Sequence, residues 1–505
     1  MLTPHMCEQA RLSRDPRFDG LFFILVKTTK IFCRNICKVR MPLEKNVEYS
    51  ASAQQALNQG YRPCLKCRPD SAPNSCAWQG VNTTVNRAVK MLTQRLDANI
   101  ESIAASLGIS PRYLNKLFQE NMQISAKRYR IYQQVLMAKQ LLQQTQLSVE
   151  KVAESVGFAS ARQLQQHIKT YLRLTPSQLR KDAKKNLFTQ GTKGSVKPMQ
   201  LSENVTILLA YRPPYNWQQV RDFFVKRQIQ GNELVYENGL TKILSIAPKQ
   251  NGNDSPPNCV SVKVDITHVP AQNGFHLSFN AAYSLHTLAI ISIVRRMLDL
   301  DASPQLIERA LKRAGLPNSD LVAGLRIPGV ASEFEAGCRA VLGQQVSVAA
   351  AVNKVNQLHA YFAQYNKADN LEIGFPFPNE IANNDLLFLK VPKARRQTLI
   401  ELAKFYNRRE LPQQVQEARC ENMSANFDAI DALKSPAALI DIKGIGPWTV
   451  NYIALRAIGE SDIWLNTDLV IKKQVAKQSE KGHTIKSQLA APWRSYLTLN
   501  LWCLA

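Results

Sequence analysis

The sequence predicts a multidomain α+β chain. Three observations point there. At 505 residues the chain exceeds what one ordinary core organises, so two to four domains are expected. Apolar residues recur at three- and four-residue spacing from Val85 to about Lys184, which is helical periodicity. Short alternating runs such as Val262-Lys-Val-Asp-Ile266 then fill Val205 to Leu277, and helical periodicity returns from about Ala281 to the end.

Each part has its own signature. Among the six cysteines of residues 1–80, Cys33, Cys37, Cys64 and Cys67 form two close pairs, and a loose stretch from Pro69 to Gly80 closes that module. The helical segment 81–184 contains an internal repeat, Ile103-Ala-Ala-Ser-Leu-Gly-Ile109 echoed by Val152-Ala-Glu-Ser-Val-Gly-Phe158. Residues 185–203 are polar, with Gly191, Gly194 and Pro198, and read as a flexible linker. Residues 204–285 form a β-rich subdomain broken by the turn-rich Asn251 to Asn258, and 286–505 a helical one. Two caps are expected to interrupt those helices, Leu325-Arg-Ile-Pro-Gly329 and Ile442-Lys-Gly-Ile-Gly446.

The balance of 64 basic against 39 acidic residues gives a formal charge of +25. Such a surface attracts polyanions. An anionic membrane competes as partner, but no clustered polybasic tail lies beside an amphipathic anchor, so nucleic acid is favoured and no membrane is expected. No run approaches the roughly 18–20 apolar residues that a membrane span needs. The first residues, MLTPHMCEQARLSRDP, lack a signal peptide's apolar stretch, which points to the cytoplasm. Thiols stay reduced there, so the 10 cysteines read as metal ligands, reactive thiols or core residues.

Cys33-x3-Cys37 and Cys64-x2-Cys67 are two close pairs. Brought together they supply four thiolates at the tetrahedral geometry of a zinc ion. The alternative is four buried or incidental cysteines. In the repeat, Gly108 and Gly157 sit where the turn between two helices needs a left-handed residue, so each half reads as a helix-turn-helix. The second helix of each should enter the major groove. Its base-reading candidates are Arg112, Tyr113, Asn115 and Lys116 in the first unit, and Ser160, Arg162, Gln163 and Gln166 in the second. The alternative is that these are solvated polar faces. In Ile442-Lys-Gly-Ile-Gly-Pro-Trp-Thr-Val450, Gly444 and Gly446 let the backbone approach a phosphate, and Thr449 lies in the helix N-terminus whose N–H groups face it. Asp468 follows. By itself it reads first as the N-cap of a helix opening at Leu469, and the hairpin before it tips the reading to catalysis.

The chain resembles three known families. Arg14-Asp-Pro16, Asp19-Gly20, Thr28-Thr-Lys-Ile-Phe-Cys-Arg34, Glu44-Lys-Asn-Val47 and Tyr61-Arg-Pro-Cys-Leu-Lys-Cys-Arg-Pro-Asp70 are similar to the Ada-type methyl-acceptor module. The resemblance implies a zinc-bound α/β module in which Cys33 is the nucleophile for a DNA methylphosphotriester. One departure is Asn35-Ile36, where that family has Pro-Ser. The repeat, Gly157-Phe158 and Leu174-Thr-Pro-Ser-Gln-Leu-Arg180 resemble the AraC-type DNA-binding domain, an all-α double helix-turn-helix. Gln165, Gln166 and His167 replace its usual aromatic and basic run, which implies a weaker grip.

The last 300 residues resemble the AlkA-type 3-methyladenine DNA glycosylases of the helix-hairpin-helix superfamily. Tyr211-Arg-Pro-Pro-Tyr-Asn-Trp217, Leu325-Arg-Ile-Pro-Gly329, the Phe334 to Gln344 stretch, Val346-Ser-Val348, Trp448-Thr-Val-Asn-Tyr452, Ala454-Leu-Arg456 and Pro492-Trp-Arg-Ser-Tyr496 carry this match. It implies a β-rich subdomain followed by an all-α helix-hairpin-helix glycosylase fold. Asp468 would be the catalytic carboxylate, and Trp448, Tyr452 and Trp502 an aromatic cleft for a cationic base. Taken singly, each of these rings reads first as core packing. Gln345 stands where the family carries an apolar wedge. Members that also cut the strand have a lysine after the hairpin; Trp448 is there instead, so base removal without strand cleavage is expected.

No Pro-Cys-His-Arg text occurs, so the O6-methylguanine methyltransferase part of the usual Ada protein is not expected. The resulting expectation is a monomer that acts on double-stranded DNA and contacts RNA polymerase at its promoters. It would be a methylphosphotriester-accepting activator joined to an alkylbase glycosylase. Two alternatives remain. One is a regulator whose glycosylase half has decayed into a DNA-holding module. The other is a glycosylase whose front half serves delivery to DNA.

Overall fold

The computed structural model describes residues 3–15, 18–69, 81–94, 99–181, 203–246, 260–365, 373–409 and 436–505. Residues 70–80, the linker from 185 to 202 and the turn-rich Asn251 to Asn258 lie outside them. The chain divides into two compact units, Met1–Gln133 and Gln134–Ala505.

In the first unit the apolar run Phe23–Val26 forms β1, the centre of a four-stranded sheet. It pairs antiparallel with β2 (Ile31–Arg34) and β3 (Val47–Ser50), and β4 (Arg62–Pro63) adds parallel to β2. Side chains alternate across a strand. Phe23, Leu25 and Phe32 therefore pack on one face with Ala56 and Tyr61, while Ile24 and Cys33 pack on the other with Phe22 and Val47. The register Ile24↔Cys33 fixes which face carries the cysteines.

Three helices, Val81–Gln94, Ile100–Ser106 and Pro111–Met122, complete this unit around Leu92, Ile103, Leu114 and Phe118. Asn99 and Ser110 cap the last two, each side chain accepting a backbone N–H. The long helix Ala126–Gln144 runs on into the second unit. There Val149–Ser155 and Ala161–Leu172 repeat the pattern, capped by Ser148 and Ser160. Gly108 at φ 67° and Gly157 at φ 84° make the turns of the two repeats.

The β-rich part is one antiparallel sheet in the order β5 (Asn204–Ala210), β9 (Gly274–Asn280), β8 (Val260–Val269), β7 (Gly239–Ile246), β6 (Glu233–Tyr236). The alternation read in β8 is real: Val262, Val264 and Ile266 are buried, and Lys263 and Asp265 are exposed. A helix the strand pattern did not predict, Trp217–Val225, lies between β5 and β6.

Among the described residues the helical part gathers around two cores. One gathers Phe334, Leu358, Leu399, Leu402, Ile445 and Ile453; the other gathers Ile307, Leu311, Leu455, Ile471, Leu497 and Leu501. The helix Pro447–Ile453 and its π-helical continuation Ala454–Ile458 contribute to both. Leu325 to Gly329, expected as a cap within the helical series, is an irregular buried segment. Gly329 still closes a helix, but from a distance: its N–H donates to the carbonyl of Met297, the last residue of Thr287–Met297, at 2.7 Å. Arg326 is wholly buried there and donates to the carbonyls of Arg212 at 2.6 Å and Pro214 at 3.0 Å.

Candidate functional site

Strand pairing assembles the cysteine site. Cys33 lies in β2, and Cys64 follows β4, its N–H donating to the carbonyl of Phe32 at 3.0 Å. The sulfurs of Cys33, Cys37, Cys64 and Cys67 all lie within 4.8 Å of one another. Tetrahedral zinc with Zn–S near 2.3 Å needs sulfurs about 3.8 Å apart, so the four residues fit the ion. Cys33, Cys37 and Cys64 are buried and Cys67 is partly exposed. The crowding splits the thiols: hydrogen bonds from Cys33 and Cys67 hold Cys37 well below the usual thiol range, while the same contacts push Cys33 up. Such a set gives up its protons to solvent when it binds a cation.

Flanking residues fix the site. Arg34 pairs with Asp19, its Nε at 2.8 Å from Oδ1, and its backbone N–H points at Cys67 Sγ, 3.4 Å away. Glu44 pairs with buried Arg11 and accepts from the Tyr49 hydroxyl at 2.9 Å. Asn35, the departure from the family text, is buried and donates to the carbonyl of Asp15 at 2.7 Å. Its side chain thus ties the cysteine loop to the segment that precedes the sheet.

The reading candidates occupy two helices. Arg112, Tyr113, Asn115 and Lys116 are exposed on Pro111–Met122, and Arg162, Gln163 and Gln166 on Ala161–Leu172. Three carry local duties. Asn115 Oδ1 accepts the N–H of Ala126 at 3.0 Å, Gln163 Oε1 that of Ala159 at 3.1 Å, and Lys116 lies 3.9 Å from Glu120. Ser160 is an N-cap.

At the hairpin, Gly444 has φ 93°, and a Cβ there would meet Thr398 Oγ1 at 2.4 Å. Only glycine satisfies both conditions. Thr398 in turn donates to the carbonyl of Lys443 at 2.8 Å. A Cβ on Gly446 would meet nothing within 4 Å, so the backbone ahead of the helix is open to a ligand. Thr449 is buried, and its hydroxyl faces Gln344 Nε2 at 3.4 Å. Any phosphate contact from Thr449 is therefore through its main chain. Gln345 is exposed at φ 57°, projecting on a turn. Gln344 ties that turn to the hairpin, donating to the carbonyl of Gly444 at 2.9 Å, and Arg395 holds the Gln344 carbonyl at 2.9 Å.

Asp468 fills both roles its sequence position allowed. It caps Leu469–Glu480, Oδ1 accepting from Val470 and Ile471 at 3.0 and 3.1 Å. The same carboxylate receives the indole N–H groups of Trp448 on Oδ2 at 3.2 Å and Trp502 on Oδ1 at 3.3 Å. Trp448 stacks on Tyr452, with ring centroids 5.2 Å apart. The three rings and the carboxylate are thus brought together, each half-buried.

Sequence reasoning gave no role to the groups next to these rings. Arg456 donates to the Tyr452 hydroxyl at 2.9 Å and to the carbonyl of Pro328. Deeper lies a buried ionic cluster. Lys242 reaches Glu233 at 2.6 Å and Glu335 at 3.2 Å, and Arg339 reaches them at 2.9 and 2.8 Å. Burial pushes Glu233 up, but Lys242 and Arg339 outweigh it and hold the carboxyl down at about 2. The i,i+4 spacing of Glu335 and Arg339 was the available signal, and it reads as a surface pair.

These parts define a class: a thiolate metal module and paired helix-turn-helix units joined to a β-sheet and a helical part with a glycine hairpin ahead of a helix N-terminus. Family models match the metal binding domain of Ada over residues 6–70, a helix-turn-helix domain over 103–182 and the AlkA N-terminal domain over 206–332. The chain is 30% identical to the probable bifunctional transcriptional activator/DNA repair enzyme AlkA of Mycobacterium tuberculosis, over 98% of this chain and 95% of that protein. It therefore belongs to the family of that bifunctional enzyme, and zinc is the cofactor of its first module. It is also 29% identical to DNA-3-methyladenine glycosylase 2 of Escherichia coli, over 58% of this chain and 95% of that one. A further relative is the bifunctional transcriptional activator/DNA repair enzyme Ada of Escherichia coli, 36% identical over 28% of this chain and 38% of that one. Among the described residues no helix is long and apolar enough to cross a membrane.

Proposed function

We propose that the chain is a DNA alkylation-repair protein that excises alkylated bases of the 3-methyladenine type and regulates transcription in response to methylated DNA phosphates. The observation that carries the first activity is Asp468 set beside Trp448 and Trp502, with Tyr452 stacked on Trp448. An alkylated purine is cationic, and electron-rich rings attract it once it has left the stack. As its glycosidic bond breaks, positive charge grows on the sugar, and a fixed carboxylate stabilises that charge. The two indole N–H groups and the capped helix N-terminus hold the carboxylate in place. Trp448 offers no amine for a Schiff base, so the strand stays intact. Gly444 and Gly446 with the following N–H groups grip phosphate, and Gln345 enters the gap that the flipped base leaves.

The test is Asp468→Asn, which keeps the capping oxygen and removes the charge. Release of 3-methyladenine in single turnover should fall by at least ~100-fold while duplex binding persists. Excision near the wild-type rate removes Asp468 from the mechanism.

At the front, the Cys33 sulfur attacks the methyl carbon of a phosphotriester; an S–C bond forms, the C–O bond breaks, and the phosphate regains its charge. When bound, zinc keeps the four sulfurs as thiolates near neutral pH. Methylation removes one negative charge from the module, which favours its approach to phosphates. The two reader helices then place the activator at its promoters, where RNA polymerase is the partner. Cys67 is the more exposed sulfur, so mapping the methylated peptide decides between it and Cys33. The reading divides the chain as 1–80, 81–184, 185–203, 204–285 and 286–505, a cytoplasmic monomer.

A further inference from the structure

The free edge of the β-rich sheet is covered by the second helix-turn-helix unit. β5 is an edge strand: its inner side pairs with β9, with Leu208 opposite His276. An edge strand presents unpaired N–H and C=O groups that need partners. Two glutamines on the long helix Ala126–Gln144 supply them. Gln140 Nε2 donates to the Leu208 carbonyl at 3.0 Å, and Gln144 Oε1 accepts the Leu208 N–H at 2.9 Å. Four residues apart, they lie on one helical face and imitate the rung of a missing strand.

A second contact lies on the next helix. The Ser155 hydroxyl, wholly buried at the end of Val149–Ser155, sits 2.8 Å from the carbonyl of Ser284, which is also buried. Ser284 lies in the turn that joins β9 to the helix Thr287–Met297. Both contacts use the connecting helix and the first helix of the repeat. Ala161–Leu172, the reading helix, keeps Arg162, Gln163 and Gln166 exposed.

We infer that the second helix-turn-helix unit and the glycosylase half are one rigid body, joined along β5 rather than tethered through residues 185–203. The partner that this sheet edge fits is the chain's own helix Ala126–Gln144. DNA gripped by the outward helix Ala161–Leu172 is then gripped by the same body that carries Asp468. The joint stands whether or not either chemical activity does.

The experiment places a specific protease site between Phe188 and Pro198 of the full chain, cleaves the folded protein and passes it over a sizing column. The two pieces should elute together. Gln140→Ala with Gln144→Ala and Ser155→Ala should weaken their association at least roughly tenfold, so that they separate at micromolar concentration. The uncleaved triple variant should still excise methylated bases at the wild-type rate, which shows that the glycosylase half is folded. Thermal unfolding and circular dichroism of the cleaved variant's front piece check the other half. Separation of the wild-type pieces overturns the joint; co-elution of the variant pieces overturns its placement on β5.

Discussion

Arg456 donates a hydrogen bond to the hydroxyl of Tyr452 at 2.9 Å, from the π-helical turn back onto the preceding helix. The guanidinium is buried, lies over the Phe223 ring at 4.4 Å and also bonds the Pro328 carbonyl. It therefore sets the tilt of the ring that stacks on Trp448. Arg456→Met should weaken binding of an alkylated duplex more than binding of an undamaged one. Because the arginine acts through the hydroxyl, a double-mutant cycle with Tyr452→Phe should give a coupling of about 1 kcal/mol in damage-specific binding. Additive losses would assign Arg456 to the core alone.

Metal removal should act on one module. The four sulfurs of Cys33, Cys37, Cys64 and Cys67 close one site, so stripping the ion leaves mutually repelling or proton-sharing thiols in its place. A chelator under native conditions should expose four additional reactive thiols in a colorimetric titration. The helical glycosylase half should keep its excision rate. Four thiols equally reactive before chelation would refute the site.

Lys242→Met should be strongly destabilising. It leaves Glu233 and Glu335 buried beside Arg339 alone, and breaking such a buried network costs about 3–5 kcal/mol. The midpoint of denaturant unfolding of the glycosylase half reports it. Adding Glu233→Gln should recover part of the loss, since one surplus charge is then gone.

Asp299 gives a pH dependence. Burial pushes its carboxyl up to about 6, against hydrogen bonds from the Ile327 N–H and the Tyr496 hydroxyl that lower it. An acid raised on folding binds more protons in the folded state between its unfolded value and about 6. Stability from this group is therefore full below pH ~4 and falls as pH rises to about 6, by on the order of 2–3 kcal/mol. Asp299→Asn should flatten that part of the stability profile. An unchanged slope between pH 4 and 6 would count against it.

Much of this was legible in the residue order. Two short cysteine spacings announced a metal site because thiolates need few backbone degrees of freedom to converge. Gly108 and Gly157 marked their turns because a positive φ is cheap for glycine alone. The alternation of Val262, Val264 and Ile266 placed β8 because one face is wet. What escaped were groups whose partners are distant in sequence. Nothing near Lys242 or Arg326 in the residue order marks a partner, yet both are buried, stabilised by carboxylates and carbonyls contributed from other elements. Asp468 was ambiguous because a helix cap and a cleft carboxylate have the same local text. The glutamines at 140 and 144 carried no signal, since the strand edge they cover lies more than 60 residues on.

The amide of Gln344 joins directly two loops that the helix Lys393–Arg409 also holds through Arg395 and Thr398, the one bearing Gln345 and the one made by Gly444. If Gln345 enters the duplex and the Gly444 hairpin meets its backbone, as proposed above, the two contacts are set against each other by this one bond.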